Sequence, residues 1–226
     1  MPHLPEQDAG RPFRAPAPRA RVQPAAIDAA RSHVLVVTGP SGVGKGTLIR
    51  ALQARFPGLE LSVSATTRAP RSGELEGRDY WFLSDAEFDR RIEQGAFLEY
   101  AVYAGNRYGT LRSEVDRAGG GGGPAGPSGL VLEIEVEGAR QVRAAMPEAI
   151  QVFIAPPTVE ALRERLVGRG SDSTDQIESR LEVALAELGS QREFAHVIVN
   201  DQLDRAASEL ASLVARVWDS SKGAQS

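Results

Sequence analysis

Val34-Leu35-Val36-Val37-Thr38-Gly39-Pro40-Ser41-Gly42-Val43-Gly44-Lys45-Gly46-Thr47 is the stretch from which the fold is read. A short β-branched run that stops at a glycine has the composition of a buried strand. The pattern G-x-x-x-x-G-K follows at once and leads into a helix expected over 45–55, stopped by Pro57 and Gly58. Strand, glycine-rich loop and helix in that order make a phosphate cradle. Glycines let successive backbone N–H groups turn inward, and the helix N-terminus adds the positive end of its dipole. Of 26 basic residues only Lys45 and Lys222 are lysine, so the lysine of the loop stands out against an arginine background. A compact ammonium can follow a moving phosphoryl group better than a wide guanidinium can. Gly46 occupies the place where such loops usually carry Ser or Thr, and Thr47 comes one residue later. That shift weakens direct hydroxyl ligation of Mg²⁺ and leaves the cradle intact.

Outward from the loop, strands are expected over 59–64, 96–103, 130–136, 150–155 and 197–200. Helices are expected between them: from a Ser84/Glu87 capping box to about Glu93, over 138–146, and over 158–167. A second capping box at Ser173/Gln176 opens a helix with the stripe Ile177, Leu181, Leu185, Leu188. The closing helix carries Leu203, Ala207, Leu210, Val214 and Val217. Strands alternating with helices predict an α/β fold, a parallel-sheet core flanked by helices on both faces.

Composition narrows the function classes. The 226 residues, 42% hydrophobic and 25% charged, suit one sizeable core of ordinary globular type. No cysteine is present, which excludes disulfides, thiolate metal sites and thiol nucleophiles, and three histidines leave little for a histidine metal centre. A net charge of −4 argues against broad nucleic-acid binding. No apolar run is long enough to span a membrane and no secretory h-region is present, so a cytoplasmic location is expected. Residues 1–31 hold six prolines and five arginines and are expected to be a disordered N-terminal extension; Glu6, Asp8 and Asp28 argue against a transit peptide. The run 119–129, with five successive glycines and two prolines, reads as a floppy surface insertion, and 219–226 as a flexible tail.

The phosphate loop alone leaves several classes open. A GTPase would want Asn-Lys-x-Asp, which is absent; a motor ATPase stays open because Leu132-Glu133-Ile134-Glu135 could supply an acidic strand end. The remaining motifs decide. Ser62-Val63-Ser64-Ala65-Thr66-Thr67-Arg68-Ala69-Pro70-Arg71-Ser72-Gly73-Glu74, Gly77-Arg78-Asp79-Tyr80, Phe97-Leu98-Glu99-Tyr100 and Gly105-Asn106-Arg107-Tyr108-Gly109-Thr110 are similar to the guanylate kinase family. So are the loop itself, Gly168-Arg169-Gly170 and Val199-Asn200-Asp201. The resemblance covers about 34–217 apart from the glycine insertion.

This resemblance implies transfer of the γ-phosphoryl of ATP to GMP, with Mg²⁺, giving ADP and GDP, with dGMP an allowed acceptor. It implies a core at 32–63 and 114–218, a GMP-binding region at 64–113 and a lid near 168–180. Gly39, Pro40, Ser41, Gly42, Val43, Gly44, Lys45, Gly46, Thr47 and Asn200 would then lie around ATP. Arg68, Arg71, Tyr80 and Tyr108 match the groups on the GMP phosphate, and paired forks with phenolic donors suit a dianion. Glu99, with Ser64 and Thr110 beside it, matches the carboxylate that reads guanine. A carboxylate only accepts, guanine donates from N1 and its 2-amino group, and adenine does neither. Lys45, Arg165, Arg169 and Arg180 match the cations of catalysis and the lid. Glu133 and Glu135 stand where the family commonly has Asp-x-Asp, and Glu135 is carried over as a GMP contact; the resemblance gives no direct metal ligand, Mg²⁺ arriving with ATP. Two rival readings remain: a non-catalytic module of the same family that binds phosphorylated peptides, and a kinase of another nucleoside monophosphate, which Glu99 opposes.

Overall fold

The computed structural model describes residues 33–103, 105–119, 129–168 and 174–223. The 1–31 extension, nearly all of the glycine insertion, residues 169–173 with Arg169 and Ser173, and the last three residues of the tail lie outside the described residues.

Five parallel strands form the main sheet in the order β2-β7-β1-β8-β9: β1 (His33–Thr38), β2 (Leu59–Leu61), β7 (Gly129–Glu133), β8 (Ile150–Ala155) and β9 (His196–Val199). Central strand β1 shows why the apolar run is unbroken. Leu35 and Val37 point into one core with Leu48, Ile49 and Leu52 of α1 (Lys45–Arg55). The same core holds residues of α5 (Val159–Val167), α6 (Thr174–Gly189) and α7 (Leu203–Gly223). Val34 and Val36 point the other way, toward Val115 of α3 (Arg112–Gly119) and Val136, Ala139 and Val142 of α4 (Val136–Ala145). A strand covered on both faces must be apolar at both parities of its two-residue repeat.

A second sheet, unexpected from the sequence, lies beside the first. It is four-stranded, in the order β4-β3-β6-β5, from β3 (Ala65–Thr66), β4 (Trp81–Phe82), β5 (Phe97–Tyr103) and β6 (Asn106–Leu111). Its two shortest strands have two residues each, too few to show a period. α2 (Asp85–Glu93) covers it through Phe88, whose ring stacks on Phe97 at 4.4 Å. Ser84 Oγ accepts the Glu87 N–H as expected, but Glu87 turns its carboxylate to Arg90 and Arg91, so the capping box is half made. Glu114 joins the two sheets: Oε2 accepts the Val63 N–H at 3.0 Å and Oε1 the Trp81 indole at 3.3 Å.

Two strand boundaries and two helix stripes differ from expectation. The strand expected over 130–136 ends at Glu133, because Glu135 caps α4 and its carbonyl already accepts the Ala139 N–H. The strand expected over 59–64 pairs only to Leu61 before Val63 turns to Glu114. In α6 the stripe packed on the core is Ile177, Leu181, Ala184 and Leu188, of which Ala184 is fully buried, with Leu185 exposed; in α7 Leu203 is exposed and Ala206 is inside.

At the end of β1, Gly39 has φ 134°, and a Cβ there would overlap the Ile154 carbonyl of β8. The obstacle is backbone, which cannot rotate away. Gly39→Ala is expected to cost about 3 kcal/mol or more, lowering Tm by roughly 6–12 °C in a thermal melt.

Candidate active site

The phosphate loop is built as a preformed shell. Gly42 and Gly44 have φ of 86° and 99°, a region in which a side chain is strained. Lys45 is the first residue of α1 and nearly buried; its Nζ donates to the Gly39 carbonyl at 2.6 Å and the Pro40 carbonyl at 3.3 Å. The loop is braced from behind. Asn200 Nδ2 and Arg165 Nη1 both donate to the Val43 carbonyl, at 2.8 and 3.1 Å, and Arg165 Nη2 donates to the Asn200 carbonyl at 2.8 Å. From the side, Arg180 Nη2 reaches Ser41 Oγ at 2.8 Å.

In front of the loop opens a cleft of about 480 Å³. Pro40, Ser41, Gly42, Gly44, Lys45, Gly46, Thr47 and Arg180 line one part; Ser64, Arg68, Arg71, Tyr80, Glu99, Tyr108 and Glu135 line the rest. Residues from the loop and from the second sheet therefore share one space. Five candidates do not line it. Gly39 lies against β8 and Val43 is in the core. Thr110 stands behind Glu99, and Arg165 and Asn200 spend their donors on loop carbonyls. Arg169 lies outside the described residues.

Arg68 is held on several sides. It makes a two-pronged ion pair with Glu74 at 2.8 and 3.0 Å, donates to the Ala69 carbonyl, and lies over the Tyr80 ring at 5.2 Å. Glu74 also accepts the Arg71 N–H at 2.7 Å, so one carboxylate sets both arginines of the loop. The Glu74 hydrogen bond holds the Arg68 guanidinium above its usual range, burial opposing it. Tyr80 and Tyr108 meet edge to face at 6.1 Å beside this pair. Two cations and two phenols thus face the cleft together, a set that fits a dianionic phosphate.

Glu99 sits at a bulge. Phe97 pairs with Leu111 but Glu99 with Thr110, so Leu98 is the extra residue. Leu98 packs into the main core, Phe97 into the core of the second sheet, and Glu99 is re-aimed at the cleft. Its Oε1 accepts from both the Thr110 N–H, at 2.8 Å, and the Thr110 hydroxyl, at 2.7 Å. Burial pushes Glu99 up to about 7; the Thr110 hydrogen bonds pull it down and the charge of Glu135 adds to the rise.

One buried carboxyl beside the loop was not among the candidates. Glu187 of α6 is pushed well above the ordinary carboxylate range, first by burial and then by the Glu135 carboxyl hydrogen-bonded to it; Lys45 and the Ser41 N–H pull the other way. Arg180, Ala184 and Glu187 follow at intervals of four and three, so Arg180 and Glu187 share the helix face that meets Ser41. That spacing was available in the sequence, hidden behind the neighbouring apolar stripe. On the other side of the loop, Glu133 closes on Gly46, where a Cβ would stand 3.5 Å from its Oε2.

The guanylate kinase family model matches residues 31–217. The chain belongs to the guanylate kinase family. It is 51% identical to a guanylate kinase of Synechococcus sp. (strain CC9311) over 185 residues, 82% of this chain and 95% of that relative. It is 48% identical to one of Thermobifida fusca over 183 residues, 81% of this chain and 91% of that one. Among solved structures, a guanylate kinase from Anaplasma phagocytophilum superposes with a TM-score of 0.65 at 30% identity, covering 83% of this chain and 86% of the other. The guanylate kinase fold is thus the parallel α/β core described above, with the loop at the end of its central strand.

The raised Glu99 carboxyl has a sign that can be tested. A carboxyl whose folded value lies above its unfolded value, near 4.5, holds its proton more tightly when folded; its contribution to stability is largest at low pH and is lost as pH rises to about 7. The loss amounts to about 3 kcal/mol. In ligand-free protein, the Tm of Glu99→Gln relative to wild type should therefore rise by several °C between pH 5 and pH 8. Parallel Tm profiles would contradict a buried, titrating Glu99.

Proposed function

We propose that this chain transfers the γ-phosphoryl group of ATP to GMP, giving ADP and GDP. One observation carries the reading: a buried carboxylate that accepts but cannot donate, Glu99, opens onto the same cleft as the lysine of a phosphate loop. In this reading the guanine edge, with donors at N1 and the 2-amino group, meets Glu99, and Ser64 and Glu135 stand nearby. Arg68, Arg71, Tyr80 and Tyr108 take the GMP phosphate. The N–H groups of the loop take the phosphates of ATP. A GMP phosphate oxygen, already ionised at neutral pH, attacks the γ-phosphorus, and the bond to the ADP oxygen breaks in line. No general base is needed. Lys45 leaves its carbonyl partners for the transferring group, and Arg180, already on Ser41, reaches the same charge.

Arg165 and Asn200 act in this reading by holding the Val43 carbonyl, and so the shape of the loop, and Arg169 is assigned to neutralising charge on the transferring group. Mg²⁺ suits the oxygen donors beside the loop, Glu133 and Thr47 through its water shell, where it would neutralise phosphate charge. We further assign 64–113 as the GMP-binding region, 168–180 as a lid that closes with it to exclude water, and dGMP as a second acceptor. A cytoplasmic enzyme acting on free nucleotides, without nucleic-acid or membrane partners, fits this chemistry; among the described residues no helix is long and apolar enough to cross a membrane.

The test is ADP release with Mg·ATP and each of GMP, AMP, CMP, UMP and dTMP. Turnover confined to GMP, at roughly 10–100 per second, is expected. Binding of GMP without turnover would favour the phosphopeptide-binding module. Lys45→Met is expected to lower kcat by about 10²–10³ or more while the fold melts normally; near-wild-type turnover would remove Lys45 from the mechanism.

A further inference from the structure

Glu99 is enclosed on one side by Thr110 and on the other by the first turn of α4. The residue there is Gly138, and what it lacks matters. A Cβ built on Gly138 would overlap Glu99 Oε2 and stand 3.1 Å from Glu99 Cδ and 3.4 Å from Ile134 Cδ1. Gly138 is buried and its backbone is ordinary helix, so no positive φ accounts for glycine at this place. The space beside it is filled by the Glu99 carboxylate. The same helix also grips the strand next to that carboxylate. Gln141, three residues on, accepts the Tyr100 N–H at 3.1 Å and donates to the Tyr100 carbonyl at 2.8 Å, as a neighbouring strand would.

We infer that α4 is the element that aims the guanine-reading carboxylate, and that Gly138 is a specificity-determining position, acting as a positioning residue through Glu99. This rests on the reading of Glu99 given above. With Oε1 fixed by two hydrogen bonds from Thr110, the carboxylate keeps its angle only if Oε2 can lie over the bare backbone of Gly138. A methyl group there overlaps only the end of the Glu99 side chain and meets Ile134 Cδ1 at an ordinary contact distance, with no backbone in its way, so the protein yields by turning Glu99. The fold survives, because alanine is also the better helix former. What is lost is the acceptor geometry for N1–H and the 2-amino group.

The test uses GMP and IMP, which differ only in the 2-amino group, as acceptors for the full-length protein. For Gly138→Ala we expect the KM for GMP to rise tenfold or more and the preference for GMP over IMP to shrink by a similar factor. The KM for ATP should stay within twofold and Tm within a few degrees. In a Glu99→Gln background the same change should alter the KM for GMP less than threefold, since the group it acts through is gone. A wild-type KM and preference in Gly138→Ala, or the same tenfold effect with Glu99 already replaced, would overturn the inference. Should Gly138→Ala not fold, Gln141→Ala, which intrudes on nothing, must raise the KM for GMP several-fold, and an unchanged value would overturn it equally. A wild-type protein indifferent to GMP and IMP would instead refute the reading of Glu99 itself.

Discussion

A backbone constraint at the end of β1 underlies the site. The chain leaves the central strand pressed onto the Ile154 carbonyl, in a conformation with φ 134° that strains any side chain. From there it can only curl back over the strand end. Two more glycine-permissive steps, at Gly42 and Gly44, bring it to Lys45, which opens α1 with its ammonium turned into the loop's own carbonyls. Asn200, Arg165 and Arg180 come from the end of β9 and the helices between β8 and β9; the first two fasten the Val43 carbonyl and the third the Ser41 hydroxyl. The sheet order thus has a chemical consequence: β8 supports the loop and the end of β9 braces it.

The same cleft buries carboxyls against the preference of water for charge. Glu99 is nearly enclosed, with Oε1 held by Thr110, and Glu187 is buried against the Glu135 carboxyl, which raises it above the ordinary carboxylate range. Such arrangements lower stability in the ligand-free protein and raise it again when donors arrive. A guanine edge is a donor set of the right kind for Glu99. An adenine edge would leave the carboxylate enclosed and unmet, which is the physical origin of strong discrimination.

Much of the architecture was legible in the sequence because its signals are local. Val34 to Thr38, the glycine pattern after it and the cap at Ser84 each act within a few residues. The second sheet was not legible, because β3 and β4 pair through partners remote in sequence and are too short to carry a period. In the candidate site, most side chains implied by the family resemblance line the cleft, whereas Arg165 and Asn200 turned out to face the back of the loop. Gly138, Gln141, Glu114 and Glu187 were passed over for a common reason. Each works through a contact with a partner remote in sequence or through space left empty, and neither shows in the local pattern of apolar residues.

The central claim is that an enclosed Glu99 carboxylate receives the guanine. Its most direct test is the proton count of GMP binding, from calorimetry in buffers of different ionisation enthalpy. Near pH 6.5 part of the ligand-free wild type carries a proton on Glu99 that guanine must displace. Wild type should therefore release more protons on binding GMP than Glu99→Gln does, the excess vanishing by pH 8.5, while protons from the GMP phosphate cancel in the comparison. Equal proton release by the two proteins at pH 6.5 would contradict the account.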